Sequence, residues 1–198
     1  MKRFTSLMLM LLCAVTAWAQ GVEITEDLPG TLKRFEGGGH DQYEWTSEKI
    51  TPQKSDFNAI RIKFIEAKNA DGKLTADKAG YPFVAIAEFF LYDKNGNKVA
   101  LDASAFSSNA TETQEGSIAM LADGVLTGNI GKYDWYWHST WSSTPNEHHT
   151  LSIDLRDVEA DLSEYSIGWV TRQQNGSPYK VEVEEYVETI VKVKDVSK

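Results

Sequence analysis

Hydrophobic and polar positions alternate in several short segments of this chain, the period-two signature of half-buried strands. In residues 58–65, Ile60, Ile62 and Phe64 alternate with Ala59, Arg61 and Lys63, giving one apolar and one wet face. Residues 149–155 set Leu151, Ile153 and Leu155 against Thr150, Ser152 and Asp154, and Tyr165, Ile167, Trp169 and Thr171 form a further alternating set. Val181 with Val183, and Val191 with Val193, predict two more strands. Residues 83–92 (FVAIAEFFLY) are apolar on both faces except for Glu88, as expected of a strand in the middle of a sheet. A buried helix has the same look, but the ending favours a strand. Asp93-Lys94-Asn95-Gly96-Asn97-Lys98 is hairpin chemistry, because Asn-Gly readily takes positive φ angles, and residues 99–101 are expected to return as the partner strand. Helical periodicity is weak, with a short turn over residues 117–121 the best candidate.

Between these segments lie breakers. Residues 68–80 (KNADGKLTADKAG) are polar and contain Asp71-Gly72, so they read as a long surface loop. Residues 20–42 are irregular, include Gly37, Gly38 and Gly39, and read as a flexible lead-in. There is no internal repeat. Strands separated by long loops predict an all-β fold, an antiparallel β-sandwich spanning residues 43–193, with 194–198 as a tail. Composition agrees: 198 residues with 41% hydrophobic and 25% charged suit one soluble domain with one core.

Residues 1–19 read as a secretion signal: Lys2 and Arg3, an apolar run from Leu7 to Val15, then Ala17-Trp18-Ala19 in the small-x-small pattern. The expected location is therefore outside the cytoplasm: extracellular, periplasmic or at the cell surface. Cys13, the single cysteine, follows Leu12, where a lipoprotein signal has a small residue. No later window has the length of a transmembrane helix. Removing Lys2 and Arg3 moves the formal charge from −9 to −11. With its basic residues diluted by acids, the chain is no partner for nucleic acid, which demands clustered positive charge.

The candidate chemistry concentrates in residues 120–143. Trp135, Trp137 and Trp141 fall within seven positions, with Tyr136 and His138 between them and Tyr133 just before. Aromatic rings in a Gly-, Ser- and Asn-rich loop suit a sugar site, where a flat ring covers the C–H face of a pyranose and polar neighbours bond its hydroxyls. Any one Trp in a sandwich is more often core, so the expectation is that at least one of the three faces outward. His40, His138, His148 and His149 lack zinc-site spacing and read as surface or loop residues. No nucleophile elbow or phosphate loop occurs, and no carboxylate pair stands out for glycoside hydrolysis.

The run Ala122-Asp123-Gly124, Thr127, Trp137-His138-Ser139, Trp141-Ser142, then His149-x-Leu151-x-Ile153-Asp154-Leu155, resembles the discoidin (coagulation factor V/VIII type C) domain. Residues 165–172 (YSIGWVTR) match its strand ending in arginine, and residues 83–99 (FVAIAEFFLYDKNGNKV) resemble the hairpin of exported bacterial members. The resemblance covers about residues 43–185. It implies a jelly-roll sandwich of the galactose-binding type, non-catalytic, binding a glycan as family 32 carbohydrate-binding modules do, through loops at one end. The alternative is an adhesion or protein-binding scaffold without sugar affinity. By match to the motif Trp137 is the buried Trp; the expected ligand residues are Trp135, Tyr136, His138, Trp141 and Arg172. The resemblance also implies a structural calcium at Asp123 and Thr127, completed by a C-terminal glutamate, with Glu185 chosen over Glu182 and Glu184. An oxygen-rich turn suits that hard cation. Val125 departs from the pattern, where a second Asp is usual, and the insertion 128–134 lengthens the path to Trp137.

Overall fold

The computed structural model describes residues 22–24, 30–35, 42–69, 71–127, 134–141, 146–172 and 175–188. The segment read as a signal, the strand expected at Val191/Val193, residues 194–198, His40 and Tyr133 lie outside them. The chain is all-β, with ten strands among the described residues: β1 (Val22–Ile24), β2 (Gly30–Phe35), β3 (Gln42–Ser47), β4 (Ala59–Lys68), β5 (Ala85–Tyr92), β6 (Phe106–Ser108), β7 (Trp137–His138), β8 (Thr150–Asp154), β9 (Ser166–Thr171) and β10 (Ser177–Tyr186). They make two antiparallel sheets, ordered β1-β10-β4-β8-β6 and β2-β3-β9-β5-β7, packed face to face as a β-sandwich. No described helix is long and apolar enough to cross a membrane.

The alternation read from the sequence sets the faces of the first sheet. Ile60, Ile62 and Phe64 of β4, Leu151 and Ile153 of β8, and Val181 and Val183 of β10 point into the core shared with Ile86, Leu91, Ile167 and Trp169 of the second sheet. On the solvent side, β4 and β10 pair Lys63 with Glu182 and Arg61 with Glu184, at 2.9 and 3.3 Å. Both pairs are substantially exposed, so they add little stability, about 0–1 kcal/mol each; burial of the opposite face does the holding.

The second sheet is covered on both sides. In β5, Ile86 faces Thr171 while Glu88 faces Val170, so Ala87 is an extra residue, a bulge that turns Ala87 and Glu88 to the same outer side. There Ala85, Ala87, Phe90 and Val170 pack beneath Trp135 and Tyr136. This second, smaller core explains why β5 lacks a wet face. Gly168 of β9 is required by close approach: a Cβ there would stand 2.6 Å from the Trp45 carbonyl oxygen.

Two expectations change. Part of the segment read as a flexible lead-in is strand, with β1 paired to β10 and β2 to β3. The hairpin after β5 does turn at Gly96 (φ 81°), but residues 99–101 form no strand; only the Tyr92–Lys98 bridge and the Val99 amide on the Leu91 carbonyl (2.8 Å) continue it. The helical turn is a 3-10 helix, Ile118–Ala122, whose Leu121 is buried. Apolar packing at one position in a short turn leaves no 3.6-residue period to read.

Candidate functional site

Register fixes which loops share an end of the sandwich. Lys68 at the close of β4 pairs with Ser177 at the start of β10, Lys63 with Thr150 at the start of β8, and Ala85 at the start of β5 with His138 of β7. Arg172, just past β9, donates its backbone N–H to the Ala85 carbonyl. The segments following β4, β6, β7 and β9 therefore gather at one end, and the candidate residues His138, Trp141 and Arg172 lie there.

Of the five candidate ligand residues the structure brings three together. Arg172 Nη1 donates to the Tyr136 hydroxyl at 2.7 Å, and that hydroxyl donates to Glu115 Oε2 at 3.2 Å. His138 Nε2 stands 3.7 Å from the same Glu115 oxygen, its ring stacked on Phe83 at 5.1 Å. Burial pulls the His138 imidazole below its ordinary pKa, against the opposing pull of Glu115. His138 Nδ1 lies 2.5 Å from the Ser139 carbonyl oxygen, which can only accept, so Nδ1 carries the proton. Tyr136 is wholly enclosed and His138 nearly so; only Arg172 and Glu115 are partly open to solvent. Arg172 Nε is buried without a hydrogen-bond partner, and Nη1 makes this guanidinium's one hydrogen bond to a described residue. The group thus retains donors for an incoming oxygen.

The three tryptophans separate. Trp137 is fully buried against Phe64 (centroids 6.2 Å apart), as the motif implied. Trp135 is 2% exposed, set edge-on to Tyr136 at 5.1 Å, and offers no ring face to a ligand. Trp141 is 43% exposed.

Behind this group sits an arrangement absent from the sequence reading. His149 is entirely buried, not a surface residue: its Nδ1 lies 3.0 Å from Ser139 Oγ and its Nε2 3.0 Å from Asp77 Oδ2. The carboxylate can only accept here, so Nε2 carries the proton and the Ser139 hydroxyl donates to Nδ1. Ser139 Oγ also accepts from the Val84 amide at 2.8 Å. Asp77 Oδ1 accepts from the amides of Ala79 and Tyr81 at 2.8 and 2.9 Å. An Asp, His and Ser in hydrogen-bonded series evoke nucleophilic catalysis, but the Ser139, His149 and Asp77 side chains are fully buried, so no substrate reaches Ser139. No local signal pairs Asp77 with His149, 72 positions apart, nor marks Glu115.

Asp123 and Glu185, two of the expected calcium ligands, are engaged in separate hydrogen bonds. Asp123 Oδ1 accepts from the Val125 amide at 2.8 Å, closing the turn on itself. The carboxylate that meets this turn is Glu88, which accepts from Gly124 N–H at 3.0 Å and has Lys98 Nζ at 3.8 Å; burial raises its pKa. Glu185 instead accepts from the Tyr165 hydroxyl at 2.7 Å, facing inward with Val181 and Val183 of β10. Thr127 is half-buried. Among the described residues no three His, Cys, Asp or Glu side chains form a metal-holding group.

At the opposite end an open cleft of about 480 Å3 lies between the β5 turn and residues 157–160, lined by Asp93, Lys98, Val99, Val158 and Glu159 among others. Comparison of the chain with family models and with curated proteins finds no match.

Proposed function

We infer that this chain is a non-catalytic binding domain of an exported protein, a discoidin-like jelly roll that takes a carbohydrate at the loop end carrying Trp141. The observation that carries the reading is the exposed ring of Trp141 at the same end as Arg172 and Glu115, a donor and an acceptor both open to solvent. Ring stacking with hydroxyl recognition is the chemistry of sugar binding. His138 and Tyr136 act from behind, Tyr136 by holding the Arg172 guanidinium and Glu115 in place. Trp135 supports the fold and not the ligand. A screen of the exported chain against a broad glycan array tests the reading: binding to a defined glycan class, little weakened by salt, is expected, because stacking does not depend on charge.

The protein-binding alternative has one observation in its favour. Leu74, in the loop after β4 at this same end, is 65% exposed, and with Trp141 it adds apolar surface beyond what a sugar needs. No binding by the wild-type chain across the array would favour that reading.

Calcium belongs to the proposal only at Asp123 and Thr127, without Glu185. A cation bound there stabilises the folded state by mass action, so the wild type should melt higher in calcium than in chelator, and Asp123→Ala should lose the difference. Identical melting in both would leave the turn closed by Glu88 and its own hydrogen bonds.

A further inference from the structure

We propose that Asp77, His149 and Ser139 form an acid-released clasp, which fastens residues 76–81 to the candidate ligand end while His149 is neutral and frees them when His149 takes a proton, the two sheets staying folded. Three separate segments meet at this one imidazole. Asp77 organises the loop: besides the Ala79 and Tyr81 amides on Oδ1, its own amide donates to the Tyr81 carbonyl (2.8 Å) and its carbonyl accepts from Gly80 (3.1 Å). Ser139 is fixed to the start of β5 by its amide on the Val84 carbonyl (2.9 Å) and its hydroxyl under the Val84 amide (2.8 Å). His149 is anchored to β4, its carbonyl accepting from Phe64 at 2.9 Å. Leu74 and Thr75 are tied down without His149, by the Lys68–Leu74 bridge, the Thr75 amide on the Ala67 carbonyl (2.8 Å) and the Thr75 hydroxyl on the Phe83 carbonyl (3.3 Å); residues 76–81 beyond them are held to the sandwich by the buried polar bonds of Asp77.

The neutral tautomer satisfies every partner. Protonation places a hydrogen on Nδ1, so Ser139 can no longer donate there, and its hydroxyl, buried at 0% exposure, loses its acceptor. A buried hydroxyl left unpaired is costly. The titratable groups facing His149 are Asp77, which favours the charged ring, and the adjacent His148, which opposes it. His148 is itself tied down, its Nδ1 2.9 Å from the Phe64 carbonyl oxygen and its ring edge-on to Tyr81 at 5.4 Å. Burial outweighs Asp77 and holds the His149 pKa below its ordinary value. The open form, with an ordinary imidazole, therefore binds more protons than the closed form. Closure is fully favoured above about pH 6.5 and weakens as the pH falls toward the closed-state pKa. Any effect on ligand binding rests on the reading above; the clasp itself does not.

Hydrogen exchange of the ligand-free full chain, read by mass spectrometry and corrected for intrinsic rates, tests the clasp. The amides of Ala79, Tyr81 and Val84 are the reporters. Between about pH 7.5 and 5 their opening should rise, by up to about tenfold for each pH unit that separates the two pKa values, while β4 and β8 stay protected. His149→Gln offers Asp77 an amide N–H but cannot titrate, so its reporters should be insensitive to pH. Ser139→Ala removes the group that protonation orphans, so the rise in opening across the same pH range should be smaller than in the wild type. In the wild type, NMR titration of the His149 ring should share its midpoint with the exchange change. Reporters that do not change across this range, that retain their pH response in His149→Gln, or that open only together with β4 and β8, would overturn the proposal, as would a His149 titration without loop opening.

Discussion

At the end of the sandwich formed by residues 48–58, 93–105 and 155–165, turns close on aspartates a few positions away. Asp93 accepts from the Asn95 and Asn97 amides, Asp102 from Ser104, Asp154 from Arg156 and Asp161 from Ser163, and Lys94 pairs with Asp161 across two turns. The loop end has such a turn as well, Asp77 accepting from the Ala79 and Tyr81 amides, but adds bonds between distant segments. Asp77 is bonded to His149, Ser139 to Val84, and Arg172 to Tyr136, separations of 72, 55 and 36 positions, mostly through buried atoms. Local exposed turns cost little to form or to break, whereas a buried polar assembly is rigid when complete and costly when one member is lost. The loop end is therefore where substitutions should matter most, and where a site held in one geometry can exist.

The largest expected effect is in the core at the loop end, where β7 pairs with the start of β5. Trp137, fully buried in β7, should cost about 3–5 kcal/mol as Trp137→Ala, the usual penalty for deleting a core Trp. Chemical denaturation with unchanged slope would measure it. Next comes a direct test of the contrast between ends. Asp77→Ala strips His149 and two loop amides of their acceptor and should cost about 1–3 kcal/mol, the penalty for leaving a buried donor unpaired, while Asp102→Ala, at an exposed turn, should shift melting only slightly. Equal shifts in the two melting curves would erase the distinction.

Acid sharpens it further. Burial depresses the pKa values of both His138 and His149 at the loop end, so the unfolded chain binds more protons than the folded one below about pH 6.5. Stability should be fully present above that pH and fall as the pH drops toward the folded-state values. At the far end, hydrogen bonds depress Asp93 and Asp102 below the ordinary carboxylate range; their contribution persists to about pH 4 and is lost only below it. Melting temperature followed from about pH 7.5 to 3 should thus decline in two stages, the first absent from a His138→Gln, His149→Gln double variant.

The same contrast decides what the sequence makes legible. β4 and β8 are readable because one face is wet: Arg61 and Lys63, or Thr150 and Ser152, mark the period. The turn at Asp93 to Lys98 is readable because its hydrogen bonds are local. The bulge at Ala87 is hidden, since an added residue leaves no trace in a run apolar on both sides. That double-sided character arises because Trp135 and Tyr136 fold back over β5 and β9, a long-range event that also removes Trp135 from the candidate ligand surface. His138, Tyr136 and Arg172 could be named from motif order, but Glu115, which joins them, and Asp77, which fixes His149, are acids among many and acquire meaning only when the chain closes.

The most direct test of the account is a paired measurement on Trp141→Ala and wild type: calorimetric titration with the best glycan from the array, alongside melting. Because Trp141 is 43% exposed, its removal should leave the melting temperature nearly unchanged while abolishing sugar binding. Undiminished binding by Trp141→Ala would contradict the assignment of the sugar site to this end of the sandwich.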